Sequence, residues 1–432
     1  MKNPDSRPAG AADLRAWQLR IFWLLWTAYA SYYLCRVNFA VAQPLILREF
    51  SDWTAAQIGL IPSIYAMCYA VGQVVNGTLG ERFGARLLMT LALVGAATTN
   101  ILFSMTSSFS MMLVLWAING YAQSAGWSLL IQVISNWNTS ARRGTLVGLI
   151  STCYQVGNVV SWLLAGFLCD SLGWRAAFMV PGLVLVPMAV IFALGLRNRP
   201  EDAGFPPVRD DIDHHPGQAG SSPGAVLSTR DILVMTLQNR MIWILGMGFF
   251  CMNSVRYTFM NWTVQYMADF QGQSIKGSAF TAIAIPLIGS LGAVAAGWAS
   301  DHVFGRRRAP VCAIMLFGLA GVCAVFVTIP AGSWILATAM LGLAGFLIYG
   351  PDMLMSGAAT IDLSHPRAAS IATGLTMSLG ATGAIFSGAG IGLLKDFAKG
   401  DWSLVFWVLA GLAVVSALLM VSIWNARPKG AS

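Results

Sequence analysis

The sequence predicts an all-α membrane protein of twelve transmembrane helices in two pseudo-symmetric six-helix bundles. Three observations carry that prediction. The 432 residues are 56% hydrophobic and only 10% charged, with a mean hydropathy of +0.66, whereas a soluble domain carries roughly 25% charged residues. Apolar runs long enough to cross hydrocarbon, about 20 residues each, recur along the whole chain. Landmarks of the first half return 220 residues later in the second.

The first run, 18–44, follows a polar, basic N-terminus with no short apolar core and no small-residue cleavage site. It is therefore expected to remain as a helix and not to be removed. Runs at 57–79, 86–106, 109–134, 145–168 and 175–196 complete a first bundle within residues 1–196. Runs at 239–265, 277–299, 309–329, 333–358, 369–394 and 402–425 make a second, within 239–432. Their Gly, Pro and polar residues suit membrane helices whose neighbours re-satisfy the backbone. The segment 197–238 between the bundles is rich in Pro, Gly, Ser and charge and reads as a cytoplasmic linker. His214 and His215 lie there and are read as solvated linker residues, not a metal pair.

The seven cysteines lie in or beside apolar runs, with no C-x-x-C pair. Neither a disulfide framework nor a metal site is expected. Orientation follows from the basic residues, which concentrate on cytoplasmic segments. With the N-terminus inside, nineteen of the 26 Lys and Arg fall inside and five outside. Both termini are therefore placed in the cytoplasm. The net charge of +8 then belongs to the inner loops and needs no nucleic-acid partner.

The two remaining cations, Arg36 and Arg256, fall within spans one and seven. Counted from Gln18, Arg36 lies roughly 27 Å along its helix at about 1.5 Å per residue, too deep to reach an interface. An ionised arginine there costs about 3 kcal/mol on insertion scales, and such residues usually face a pathway. The 220-residue shift pairs them, along with Trp23 and Trp243, Phe39 and Phe259, Gly72 and Gly292. It also pairs Gly77-x-x-x-Glu81-Arg82-x-Gly84 with Gly297-x-x-x-Asp301 followed by Gly305-Arg306. Gly77 and Gly297 are expected to let helices approach closely. Gly84 and Gly305 are expected to permit positive φ, and Glu81 and Asp301 to pair with basic loop residues as an inner-face gating latch.

Two parallel six-helix repeats with a latch in each and a long central linker resemble the major facilitator superfamily over the whole chain. The resemblance implies a substrate near the midplane, with the halves rocking about it. Within that superfamily, YASYYLCRVNFAVAQP at 29–44 resembles the first helix of organophosphate:phosphate antiporters. GYAQSAGWS, RNRPEDAGFPP and GFLIYGPDML are similar to further segments of that family. The resemblance implies that Arg36 and Arg256 bind the phosphate. It implies that Tyr29, Tyr33, Trp127, Tyr154 and Tyr349 line the cavity, and Asn253 is expected among the substrate-binding residues. Guanidinium forks match phosphate oxygens bidentately.

Charges typical of the glycerol-phosphate members are replaced here by Val37, Gln73, Tyr154, Asn261 and Pro286. A new acid, Asp352, follows Gly350-Pro351. It reads as a counter-ion to an arginine, as a protonatable coupling site, or as the partner of a cationic substrate group. The last would suit an amine-bearing phosphonate or phosphate ester.

No P-loop, nucleophile–base pair or intramembrane histidine is present, so neither an enzyme nor a cofactor is expected. The reading is a monomeric secondary transporter of a small organophosphate or phosphonate in a bacterial inner membrane. Its partners are that anion and the lipid bilayer, and exchange for phosphate is the simpler mechanism. A transport-fold sensor of an external sugar phosphate and a carboxylate or proton carrier are the alternatives.

Overall fold

The computed structural model describes residues 11–208, 234–305, 307–364 and 369–426. His214, His215 and Arg306 lie outside the described residues. No strand occurs among the described residues, and the expected spans are helical. The first half consists of α1 (Ala11–Leu34), α2 (Asn38–Glu49), α3 (Ala55–Phe83), α4 (Ala85–Met105), α5 (Phe109–Gln123), α6 (Ala125–Trp137), α7 (Ser140–Ile150), α8 (Thr152–Leu172) and α9 (Ala176–Gly195). The second consists of α10 (Arg240–Asp269), α11 (Ile275–Ala282), α12 (Ala284–His302), α13 (Arg308–Thr328), α14 (Trp334–Met353), α15 (Ala359–Leu363), α16 (Ala369–Ile385), α17 (Ile391–Phe397) and α18 (Ser403–Ser422).

Nine helices among the described residues are long and apolar enough to cross a membrane. The other three expected spans are one, four and seven. Span one, expected as a single helix, is two, α1 and α2, separated at Cys35–Val37. Span four divides at Ser124 into α5 and α6. Span seven is the unbroken α10, whose Arg240, Arg256 and Asp269 lower its mean hydropathy.

By packing, the chain forms two compact units that differ from its sequence halves. The first takes in the chain up to Arg36, Cys68–Ser161 and the segment starting at Phe178. The second joins Val37–Met67 and Trp162–Ala177 to the C-terminal half. The core of the first unit runs along one face of α1 through Ile21, Leu25 and Ala28 to Tyr32 and Cys35, against Met89, Leu93, Leu130 and Phe192. Tyr32 donates to the Met89 carbonyl at 3.0 Å.

The second unit is centred on aromatic packing, with Phe326 stacked on Phe406 at 4.7 Å and Tyr266 edge-on to Phe406 at 5.2 Å. At the end expected to lie outside, segments of the first half are bonded into this unit. Gln43 donates to Gln265 at 2.6 Å. Asp396 caps the start of α3 by accepting from the backbone N–H groups of Ala55 and Ala56, both at 2.8 Å. Asp269 lies 3.7 Å from Arg48 and 3.6 Å from Lys395. Gly59 and Gly388 bring two backbones so close that a Cβ on either would collide with the other's carbonyl.

Candidate functional site

Arg36 sits at the helix break. The last turn of α1 tightens, with Cys35 N–H bonded to the Tyr32 carbonyl at 3.1 Å and Arg36 N–H to the Tyr33 carbonyl at 3.2 Å. The break frees the Cys35 carbonyl from the helical ladder, and in an apolar interior a freed carbonyl must find donors. Carboxamides supply them. Asn119 Nδ2 donates at 2.9 Å, Gln123 Nε2 at 3.0 Å and Asn100 Nδ2 at 3.4 Å. Arg36 Nε in turn donates to Gln123 Oε1 at 3.1 Å, and the guanidinium lies over the rings of Tyr33 and Tyr69, 5.0 and 4.7 Å from their centroids. Such stacking suits the weakly hydrated guanidinium better than an ammonium.

Of the aromatic residues singled out in this half, Tyr33 touches Arg36. Tyr29 is buried and packs on Tyr33 at 5.9 Å and Trp127 at 5.5 Å, so these two form a layer behind Tyr33. Tyr154 packs against the same core. Gly157 lets α8 approach α1, since a Cβ there would press on the Ala30 carbonyl and Tyr33.

Arg256 is held differently. It projects from an unbroken helix, and its Nη1 donates to Asp352 Oδ1 of α14 at 2.9 Å. The side chains are 22% and 19% exposed, so the pair is largely shielded. Tyr257 and Tyr349 place their rings 5.2 and 5.3 Å from the guanidinium. Asn253, three residues before Arg256, is buried, and its Oδ1 has no hydrogen-bond partner among the described residues. Just past Asp352 the helix widens into a π-helical stretch, Leu354–Ala358. Pro351 has no N–H to give to the preceding turn, and π-bulges of this kind are frequent at functional sites.

The latch segments differ from their sequence reading. Gly84 and Gly305 adopt φ of +79° and +56°. Gly77 and Gly297, expected at close helix contacts, instead face open space, with nothing within 4 Å of where a Cβ would sit. Close approach occurs at Gly72 and Gly80, which face Ser124 and Leu129, and at Gly292, which faces the Phe346 backbone. The reason is helical phase: Gly72, Asn76 and Gly80 share the buried stripe of α3, and Gly77 is turned off it. In the second half Asp301 binds Arg308 at 2.5 Å, which Asp362 also holds at 3.2 Å. Arg308 is not among the gating residues expected from the sequence. In the first half the Glu81 side chain is outside the described residues, Arg82 lies over Phe83, and Arg86 Nε donates to the Ala193 carbonyl at 2.6 Å.

Sequence reading did not name Gln123, Asn119, Asn100, Tyr69 or Tyr257 as site residues, although Gln123 lies in the GYAQSAGWS segment. The available signal was carboxamides within membrane spans, with Asn119 and Gln123 spaced i, i+4. A polar group there needs a partner.

A model of the Major Facilitator Superfamily matches residues 25–388. The chain is 30% identical over 424 residues to a probable hexose phosphate transport protein of Chlamydia pneumoniae, covering 96% of this chain and 92% of that one. It is 32% identical over 418 residues to the membrane sensor protein UhpC of Salmonella typhimurium, covering 96% and 93%. Among solved structures, an inward-facing, unoccupied bacterial homolog of the human lysosomal transporter Spinster superposes with a TM-score of 0.72 at 16% identity, covering 95% of this chain and 96% of that one.

Proposed function

We propose that this chain, which belongs to the major facilitator superfamily and within it to the organophosphate:phosphate antiporter family, carries a small phosphate- or phosphonate-bearing anion across a bacterial inner membrane in exchange for phosphate. The observation that carries the reading is the setting of Arg36. Its Nε is held by a neutral carboxamide, and its faces are held by phenol rings. These contacts orient the guanidinium without cancelling its charge. A tetrahedral oxyanion is the ligand class that matches a fixed guanidinium fork.

By the 220-residue repeat Arg256 is the counterpart of Arg36, a second guanidinium suited to an oxyanion. Asp352 is then the counter-ion that the substrate displaces. A substrate carrying an ammonium would occupy the released carboxylate while its phosphonate takes the arginine. If so, Asp352→Asn impairs transport of aminated phosphonates more than that of non-aminated ones, and equal impairment excludes the amine.

The relative named a membrane sensor supports a second reading, in which the site binds a sugar phosphate and signals without transport. Proteoliposomes loaded with inorganic phosphate separate the two. Transport gives counterflow of external labelled phosphate, whereas a sensor binds phosphate without counterflow. Lysine keeps the charge and loses the fork. Arg36→Lys and Arg256→Lys are therefore each expected to weaken phosphate binding roughly 10- to 100-fold, the equivalent of one charge-assisted hydrogen bond. Wild-type affinity in both variants would exclude bidentate recognition.

A further inference from the structure

We infer that Asn119 and Gln123, assisted by Asn100, are positioning residues that hold the α1–α2 break and thereby aim Arg36. The inference rests on the proposed role of Arg36 and adds a device that none of the family resemblances assigned to these residues.

The three carboxamides are all fully buried, and their bonds form a closed circuit. A carboxamide has two N–H donors and one carbonyl acceptor. Gln123 donates to the Cys35 carbonyl at 3.0 Å and to Asn119 Oδ1 at 3.0 Å. Asn119 uses its own amide nitrogen on the Cys35 carbonyl at 2.9 Å. Flipping Gln123 would set oxygen against the Cys35 and Asn119 oxygens at once, so its orientation is determined by the network. Its Oε1 therefore faces Arg36 Nε, at 3.1 Å. One side chain thus grips Arg36 at the guanidinium and at the carbonyl of the peptide bond that precedes it. Nε is thus committed to Gln123, and Nη1 reaches the Tyr33 hydroxyl at 3.4 Å, so the guanidinium is held at two points.

The second half provides an internal control. Spans nine and ten, 309–329 and 333–358, contain no Asn or Gln. The helix bearing Arg256 runs unbroken from Arg240 to Asp269, and its arginine is held by a carboxylate. The carboxamides and the break occur together in one half and are both absent from the other. Leu34, Cys35, Arg36 and Val37 include neither Gly nor Pro, so the break relies on the donors that this cluster gives the freed Cys35 carbonyl.

The test uses the full chain in detergent, with inorganic phosphate as the probe and Asn119→Ala and Gln123→Leu as variants. Asn119 does not touch Arg36 in the circuit, yet Asn119→Ala should weaken phosphate binding about tenfold, a loss of 1.4 kcal/mol. In an Arg36→Lys background the same change should cost nothing further, because there is no fork left to aim. A generally structural role would give equal losses in both backgrounds and overturns the inference.

A second readout needs no ligand. The Arg36 Nε–H signal in arginine-labelled protein, identified by its absence in Arg36→Lys, should be protected from solvent exchange in the wild type and exposed in Gln123→Leu and Asn119→Ala. Unchanged protection in both variants also overturns the inference. Wild-type protein that shows this protection pattern but binds no phosphate defeats the proposed function and leaves the positioning device standing.

Discussion

Arg36 and Arg256 are the same ionised group held by opposite chemistries. The first leans on a carboxamide oxygen and aromatic faces, the second on the Asp352 carboxylate. A carboxylate competes with an anionic ligand for the same donors, and a carboxamide does so far less. The charged hydrogen bond between Arg256 and Asp352 represents about 1.5–3 kcal/mol. Removing the competitor should therefore tighten inorganic phosphate binding by about tenfold or more. Titration calorimetry on Asp352→Asn checks this. Weaker binding would mean that Asp352 positions Arg256 and does not compete for it. Tighter binding should come with slower counterflow, because the returning carboxylate no longer helps to expel the ligand.

At the scale of elements, turns and caps decide which sequence motifs matter. Gly84 combines φ +79° with ψ 155°, a region essentially closed to side chains and costing of order 1–3 kcal/mol for other residues. A Cβ there would also meet Asn198, whose Oδ1 caps the Arg86 N–H at 2.8 Å. Gly84→Ala should lower the thermal unfolding midpoint. Gly77→Ala should leave it unchanged or raise it, because Ala gains about 0.5–1 kcal/mol over Gly within a helix and nothing crowds the site. A drop for Gly77→Ala equal to that for Gly84→Ala would refute this division.

At the end of α2, Glu49 accepts from Trp174 Nε1 at 2.6 Å and from Arg175 Nη1 at 2.7 Å. Burial pushes its carboxyl upward, but the two hydrogen bonds and the Arg175 charge outweigh that and leave it below the usual carboxylate range. A lowered carboxyl stabilises the folded state above its unfolded pKa, and the contribution fades as pH falls through the folded value. Acidifying below the usual value of 4.5 should therefore destabilise wild type more than Glu49→Gln in thermal melts. Parallel acid sensitivity in the two would remove Glu49 as a contributor.

For the whole molecule, the informative feature is membership of the second packing unit. Val37–Met67 and Trp162–Ala177 belong to it although they are first-half sequence. Besides buried apolar side chains such as Val41, Ile46, Ile58 and Ile61, polar bonds hold them: Gln43 to Gln265, Asp396 to the α3 amides, and Asp269 between Arg48 and Lys395. On the proposed exchange, a transport cycle would make and break such contacts. Gly59 and Gly388 set how tightly the segments meet. Gly388→Val should prevent that meeting, abolishing counterflow while leaving phosphate binding and a monodisperse elution profile intact. Wild-type counterflow in this variant would show that the cycle does not need the close contact.

Composition and hydrophobic run length determined the fold class, because lipid tolerates only backbones that bond to themselves, and twelve apolar runs leave no other arrangement. The same reasoning located Arg36 and Arg256, since a charge at that depth is conspicuous in one dimension. The positive φ at Gly84 and Gly305 was equally legible, because a glycine after an acid at a span end has few other uses. Only the tertiary structure decided what holds each arginine. Gln123, Asn119 and Asn100 are far from Arg36 along the chain, and the break they sustain in α1 leaves no mark in the sequence of α1. The partners of Asp301 and Asp352 and the contacts that replaced Gly77 likewise depend on helical phase and on which helix lies opposite. Hydrogen bonds between helices are set by three-dimensional proximity, which a pattern of hydrophobicity does not encode.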